Sequence, residues 1–128
     1  MSSAQQTADK IAVVEVLYRF AGIDPDDQAL LASTLAENAV SDFRPAATKA
    51  GFEYPVIEGR EAIVAALSAS LVALDTTHTV TNPRVTLDGN KAHLEVLVEA
   101  QYVPKVDPFR RYLIKNRYNA ELARQGDV

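Results

Sequence analysis

Residues 91–103 read KAHLEVLVEAQYV, and the reading of this stretch decides the fold. Ala92, Leu94, Val96, Val98, Ala100 and Tyr102 fall on one side of an extended chain. His93, Glu95, Glu99 and Gln101 fall on the other, with Leu97 the apolar exception. Strict alternation over this length is the signature of a β-strand with one face in a core and one in water. Just before it stands Asp88-Gly89, a dipeptide that favours a tight hairpin. The partner strand is therefore residues 77–87, interrupted at Pro83, where a bulge or an edge position is expected. A proline-bearing loop then leads to a third strand over residues 110–124. There Tyr112, Ile114, Asn116, Tyr118, Ala120 and Leu122 share one face, and Arg111, Lys115, Arg117 and Glu121 share the other.

Upstream of this meander the period changes to that of a helix. Ile11, Val14 and Tyr18, with Leu17 beside them, mark a first amphipathic helix that ends near Gly22, and Ser3-Ala4-Gln5-Gln6 fits a capping box at its start. In the stretch GIDPDDQ, Asp24 reads as the N-cap of a second helix, Pro25 as its first helical residue, and Asp26 and Asp27 as first-turn acids favoured by the helix dipole. Leu30, Leu31 and Leu35 are its apolar positions. Residues 39–43 read as a short strand and residues 44–58, with two prolines and Gly51, as a loop or irregular hairpin. Gly59 opens a third helix with Ile63, Leu67, Leu71 and Leu74 as its stripe. Three helices followed by long antiparallel strands argue an α+β fold, with the helices on one face of a curved antiparallel sheet that encloses a pocket suited to a small molecule.

The bulk composition narrows the function classes. A chain of 128 residues with 48% apolar content fits a single domain spanning 1–128. A net charge of −4 without a basic run leaves no nucleic-acid footprint. No apolar run is long enough to span a membrane, and the polar N-terminus lacks a signal-peptide pattern, so a cytoplasmic location is expected. Cysteine is absent, which excludes disulfides and thiolate chemistry. With two histidines, His78 and His93, an imidazole-rich metal site is not expected, and neither is a cofactor.

The polar residues on inward faces are the candidates for chemistry. His78 and Asn82 share parity with Val80 and are expected to face the helices, although a lone inward histidine is more often a satisfied core residue than a catalyst. Asn116, Tyr102 and Tyr118 interrupt apolar faces. As buried amide and phenols they either satisfy one another or line a pocket for a polar ligand. Tyr18, on the apolar side of the first helix, is core or pocket wall. His93 lies on the polar face of its strand and reads as surface or interface. Arg124 is inward by parity but close to the chain end, where exposure is expected.

The runs VLYRFAGIDPDDQALLASTLAENAVSDF, GREAIVAAL, THTVTNPRVTLDGNKAHLEVLVEAQYV and RYLIKNRYNAEL, in this order and spacing, resemble the SnoaL-like branch of the nuclear-transport-factor-2-like superfamily across nearly the whole chain. The resemblance implies a cone-shaped α+β fold, three helices packed into a strongly curved sheet around a deep pocket, and self-association through the outer sheet face as a homodimer or higher homo-oligomer. Members of that superfamily include scytalone dehydratase, hexachlorocyclohexane dehydrochlorinase, polyketide cyclases and ketosteroid isomerase, and others that bind ligands without known catalysis. In the dehydratase and dehydrochlorinase group, an aspartate at the helix junction orients a histidine general base on the strand after the third helix. The matching positions are Asp24 and His78. The position of a pocket tyrosine in scytalone dehydratase matches Phe43, while a second inward histidine and the acid pair of ketosteroid isomerase have no match here.

The implied function is a cofactor-independent lyase of the dehydratase kind, acting on a hydrophobic small molecule. Asp24 and His78 would be catalytic, and Tyr18, Phe43, Asn82, Tyr102, Asn116 and Tyr118 would bind substrate. The alternatives are a polyketide cyclase or isomerase of the same fold, and a non-catalytic ligand-binding or dimerisation module. Family members continue past the RYNAELARQGD region with a turn and a final Trp-Arg-Ile strand, whereas this sequence stops at Val128. The last strand is therefore expected to be missing or truncated, leaving residues 110–124 as an edge open to another chain.

Overall fold

The computed structural model describes residues 2–22, 27–44, 47, 51, 54–107, 109–110 and 112–124, with residues 112, 114 and 116 described by their backbone alone. Their elements run α1 (Ser3–Ala21), α2 (Gln28–Ala32), β1 (Val40–Ser41), β2 (Ile57–Glu58), α3 (Arg60–Leu71), β3 (Leu74–Asp88), β4 (Lys91–Pro104) and β5 (Tyr112–Ala123). β1 and β2 form a small antiparallel pair, and β3, β4 and β5 form an antiparallel sheet in that order. The fold is α+β, as the order of periodicities predicts.

β4 lies in the middle of its sheet and pairs along its length with both neighbours. Its alternation holds from end to end. Ala92, Leu94, Val96, Val98 and Ala100 are all buried, and Leu97 is exposed on the opposite face. Leu94, Val96 and Val98 form one core cluster with Leu17 of α1. Val13, Val80, Val85, Tyr118, Ala120 and Leu122 pack around it. Burying each such aliphatic side chain contributes about 1.5–3 kcal/mol, so this cluster is what holds α1 against the sheet.

The hairpin turn is Gly89-Asn90, between the paired residues Asp88 and Lys91, and Gly89 has φ 59° as the first loop position of a two-residue turn requires. The interruption at Pro83 is a bulge. The register steps from Thr81↔Leu97 to Arg84↔Glu95, which inserts one extra residue on β3. That residue reverses parity. Before the bulge the half-buried side is Thr76, His78 and Val80; after it the side is Val85 and Leu87. Without the bulge, one of the two apolar pairs would face water. Asn82 sits in the bulge with φ 55°, a conformation asparagine tolerates better than most residues, and its side chain is exposed. The expectation that Asn82 shares the face of His78 is thus corrected: alternation does not extend through the extra residue.

The helices differ in phase from the sequence reading. α1 buries Asp9 and Leu17 and half-buries Val13, a set spaced by four, while Ile11 is 66% and Tyr18 52% exposed. Polar Asp9 is in the buried stripe because it has partners there. Gln5 Nε2 donates to its Oδ1 at 2.8 Å and Arg124 Nη2 donates to its Oδ2. These bonds hold the Asp9 carboxyl below its ordinary pKa, Arg124 having the larger effect. They also tie the end of the last strand to the first helix, so Arg124 is half-buried rather than exposed. The cap of α1 is Ser2, whose hydroxyl accepts from Gln5 N at 3.1 Å, one residue before the expected box.

α2 starts at Gln28 with Asp27 as its N-cap, the carboxylate accepting from Leu30 N at 3.0 Å. The capping task assigned to Asp24 is therefore met by Asp27. α3 begins after Gly59 (φ 94°) and buries Ile63, Val64 and Leu71; Leu74, expected on its stripe, instead opens β3.

The two faces of β4 make opposite stability predictions. Leu94→Ala should lower unfolding free energy by about 2–5 kcal/mol. Leu97→Ala, on the outer face, should change it by about 0.5 kcal/mol or less. Urea unfolding followed by circular dichroism measures both, and comparable losses would contradict this assignment of faces.

Candidate functional site

The inner face near the open end of the β3–β4 pair carries the imidazole. His78 pairs across the strands with Ala100, and Thr76 with Tyr102, so His78 and Tyr102 are diagonal neighbours. Ala100, buried and small, leaves the room in which the two rings meet edge to face, with centroids 5.8 Å apart and planes at 86°. His78 is half-buried, and that burial pushes its pKa below the ordinary histidine value. The imidazole is therefore neutral near pH 7, the form in which it accepts a proton.

β5 adds Tyr118, paired with Val96. Burial, with a smaller contribution from Tyr102, pushes the Tyr118 phenol up to about 12; burial also raises Tyr102. Both phenols are protonated at neutral pH and can donate a hydrogen bond. Against Tyr118 lies Phe43, ring centroids 5.6 Å apart. Phe43 follows β1 and is held by its neighbours: Arg44 donates to Asp42 from its backbone N (3.0 Å), Nε (2.9 Å) and Nη2 (2.8 Å). The Arg44 guanidinium accordingly lowers the Asp42 carboxyl to about 2. Tyr54 meets Phe43 edge to face at 6.3 Å and 81°.

The ring contacts thus fall into two groups, His78 with Tyr102 and Phe43 with Tyr54 and Tyr118. Of the sequence candidates, the structure sets His78 against Tyr102 and Phe43 against Tyr118. Tyr18 lies exposed on α1, and Asn82 is exposed in the bulge. Asn116 pairs with Val98 by its backbone, and its side chain lies outside what is described, as does Asp24 altogether. Tyr54 was missed. Its signal was an aromatic residue within the proline- and glycine-bearing stretch 44–58, where loop composition drew attention away from side chains.

A groove of about 390 Å³ lies elsewhere, between α2 and α3, lined by Ala29, Ala32, Arg60 and Val64 among others. It is open to solvent and contains no imidazole or phenol, so the chemistry is assigned to the aromatic cluster. No helix of the described residues is long and apolar enough to cross a membrane.

The comparison with known proteins agrees with this fold. A model of the SnoaL-like domain matches residues 5–128. The chain belongs to the SnoaL-like family. Among solved structures it resembles the Kfla4162 protein of Kribbella flavida at 25% identity and TM-score 0.81, covering 95% of this chain and 84% of that one. A type 2 hexachlorocyclohexane dehydrochlorinase, LinA, superposes with TM-score 0.80 at 19% identity, covering 99% of this chain and 82% of that one. A candidate dehydratase of the NTF2-like family from Streptomyces avermitilis gives TM-score 0.70 at 13% identity, covering 95% and 89%. At these lower identities the likeness is one of fold. No curated protein sequence matches this one.

His93 supplies an internal contrast. On the outer face its Nδ1 meets Glu121 Oε1 and its Nε2 lies 3.8 Å from Glu95 Oε1; Glu121 above all raises its pKa. The signs of linkage are opposite. The raised pKa of His93 gives stability that is present below pH 6.5 and lost as pH rises through the folded value. The lowered pKa of His78 gives stability that is present above pH 6.5 and lost as pH falls towards the folded value. An NMR titration of the two imidazole signals should find His78 titrating below 6.5 and His93 above it; the reverse order would refute both environments.

Proposed function

We propose that the protein is a cofactor-independent lyase that removes a proton from a hydrophobic small molecule, with His78 as general base and Asp24 as its partner. The observation that carries this reading is the half-buried His78, held neutral by burial and set edge to face against the protonated phenol Tyr102. A neutral ring nitrogen of His78 takes a proton from a carbon next to a carbonyl or a leaving group. The C–H electron pair forms the new double bond, and the leaving group departs with its own pair, either as halide or as hydroxide that takes a proton from the His78 imidazolium and leaves as water. Asp24 accepts the other ring N–H, fixes the tautomer and stabilises the imidazolium that forms. Tyr102 and Tyr118 donate to a substrate oxygen, where negative charge develops. The fold likeness to a dehydrochlorinase supports the reading that this fold can serve an elimination.

The capping role of Asp27 sharpens the test. Asp24→Asn should leave the melting temperature unchanged, since Asp27 caps α2. It should also lower turnover, because an amide cannot stabilise an imidazolium. His78→Ala should cost about 10²–10⁴-fold in rate. Halide and water release from a panel of β-halo and β-hydroxy ketones, followed with purified wild type and both variants, gives the readout. Absence of turnover by the wild type, or full turnover by His78→Ala, would favour a ligand-binding module instead.

A further inference from the structure

Tyr54 has no part in that proton transfer, yet its hydroxyl is the unusual atom of the cluster. The Tyr54 Oη is buried and has no hydrogen-bond partner among the described residues. A phenol removed from water without a partner is unfavourable, and proteins rarely retain one without a use. A phenylalanine would fill the same volume and make the same edge-to-face contact with Phe43.

The placement of Tyr54 is built, not accidental. β2 pairs with β1 through Val40↔Glu58 and Ser41↔Ile57, which brings the residues flanking the two short strands side by side. Phe43 follows β1 and Tyr54 precedes β2, so the pairing sets one ring against the other. Through Phe43, Tyr54 adjoins Tyr118. Tyr54, Phe43 and Tyr118 thus form an aromatic wall of successive ring contacts, with the Tyr54 hydroxyl at one end.

We propose that Tyr54 is a ligand-positioning residue whose hydroxyl donates a hydrogen bond to an oxygen acceptor of a flat, largely apolar molecule seated along Phe43 and Tyr118. The ligand class follows from the wall. Aromatic faces and edges favour a planar ring system, and a single unpartnered donor at one end selects a carbonyl or ether oxygen there. The inference rests on the reading of this cluster as a small-molecule site, but not on catalysis by His78.

The test uses α-tetralone, a planar ketone that can only accept, and tetralin, its hydrocarbon counterpart. Affinities are measured by ligand-observed NMR for the wild type, Tyr54→Phe, and His78→Ala. The wild type should bind α-tetralone about tenfold more tightly than tetralin, the worth of one good neutral hydrogen bond. Tyr54→Phe should abolish that preference while keeping tetralin affinity and keeping or raising the melting temperature. His78→Ala should retain the preference, so failure of the proton-transfer reading would leave this one standing. A preference that survives in Tyr54→Phe, an equal loss of both probes, or no binding of either probe by the wild type would each overturn the proposal.

Discussion

The parity of β4 is the constraint on which the rest depends. A central strand paired on both sides must send alternate residues to opposite faces, and five successive inward positions of β4 are buried. Each neighbour must then match its own inward face to that one. β5 does so with an uninterrupted register, and its exposed and half-buried residues alternate from Arg117 to Ala123. β3 cannot, because its apolar residues fall on even numbers through Val80 and on odd numbers from Val85. The one-residue bulge at Asn82-Pro83 reconciles the two halves. Proline, which offers no N–H to a ladder, and asparagine, which tolerates positive φ, are residue types suited to that point.

The same parity delivers the site. Because the bulge comes after Val80, His78 keeps the inward side set by Leu74 and Thr76 and lands across from Ala100. A larger residue at 100 would close the space in which His78 and Tyr102 meet. Burial then acts in opposite directions on the two chemistries present. It lowers the imidazole and raises the phenols, and both shifts favour the uncharged form. The inner face therefore offers a neutral base beside a neutral hydrogen-bond donor, Tyr102, at the same pH. The outer face shows the contrary case: His93 among Glu95 and Glu121 is drawn towards its charged form.

Most of the sheet was legible because period-two alternation is a direct readout of which face is buried. The hairpin at residues 88–91 and the irregularity at Pro83 were legible from turn and breaker chemistry. What was not legible was parity after the break. Asn82 was projected inward by counting across a residue that the ladder leaves out. The phase of α1 failed for another reason. The sequence reading takes Ile11, Val14 and Tyr18 with Leu17; Leu17 is buried, but Ile11 and Tyr18 are exposed, and the face that packs includes Asp9, whose burial depends on Arg124, 115 positions away in sequence. A long-range ion pair leaves no local pattern. Tyr54 was hidden for the same reason: its position depends on the pairing of β1 with β2, two strands of two residues each.

The cap of α2 changes how the acidic stretch before it should be read. Four residues in GIDPDDQ compete for helix-start roles by sequence, since Asp-Pro-Asp-Asp offers three carboxylates and a proline. At the start of α2 it is Asp27 that accepts from the N–H three residues on. A cap explains one aspartate and not three. The N-cap of α2 therefore does not call on Asp24. The proposed catalytic role of Asp24 can consequently be tested apart from the capping of α2, by measuring stability and activity on a single substitution.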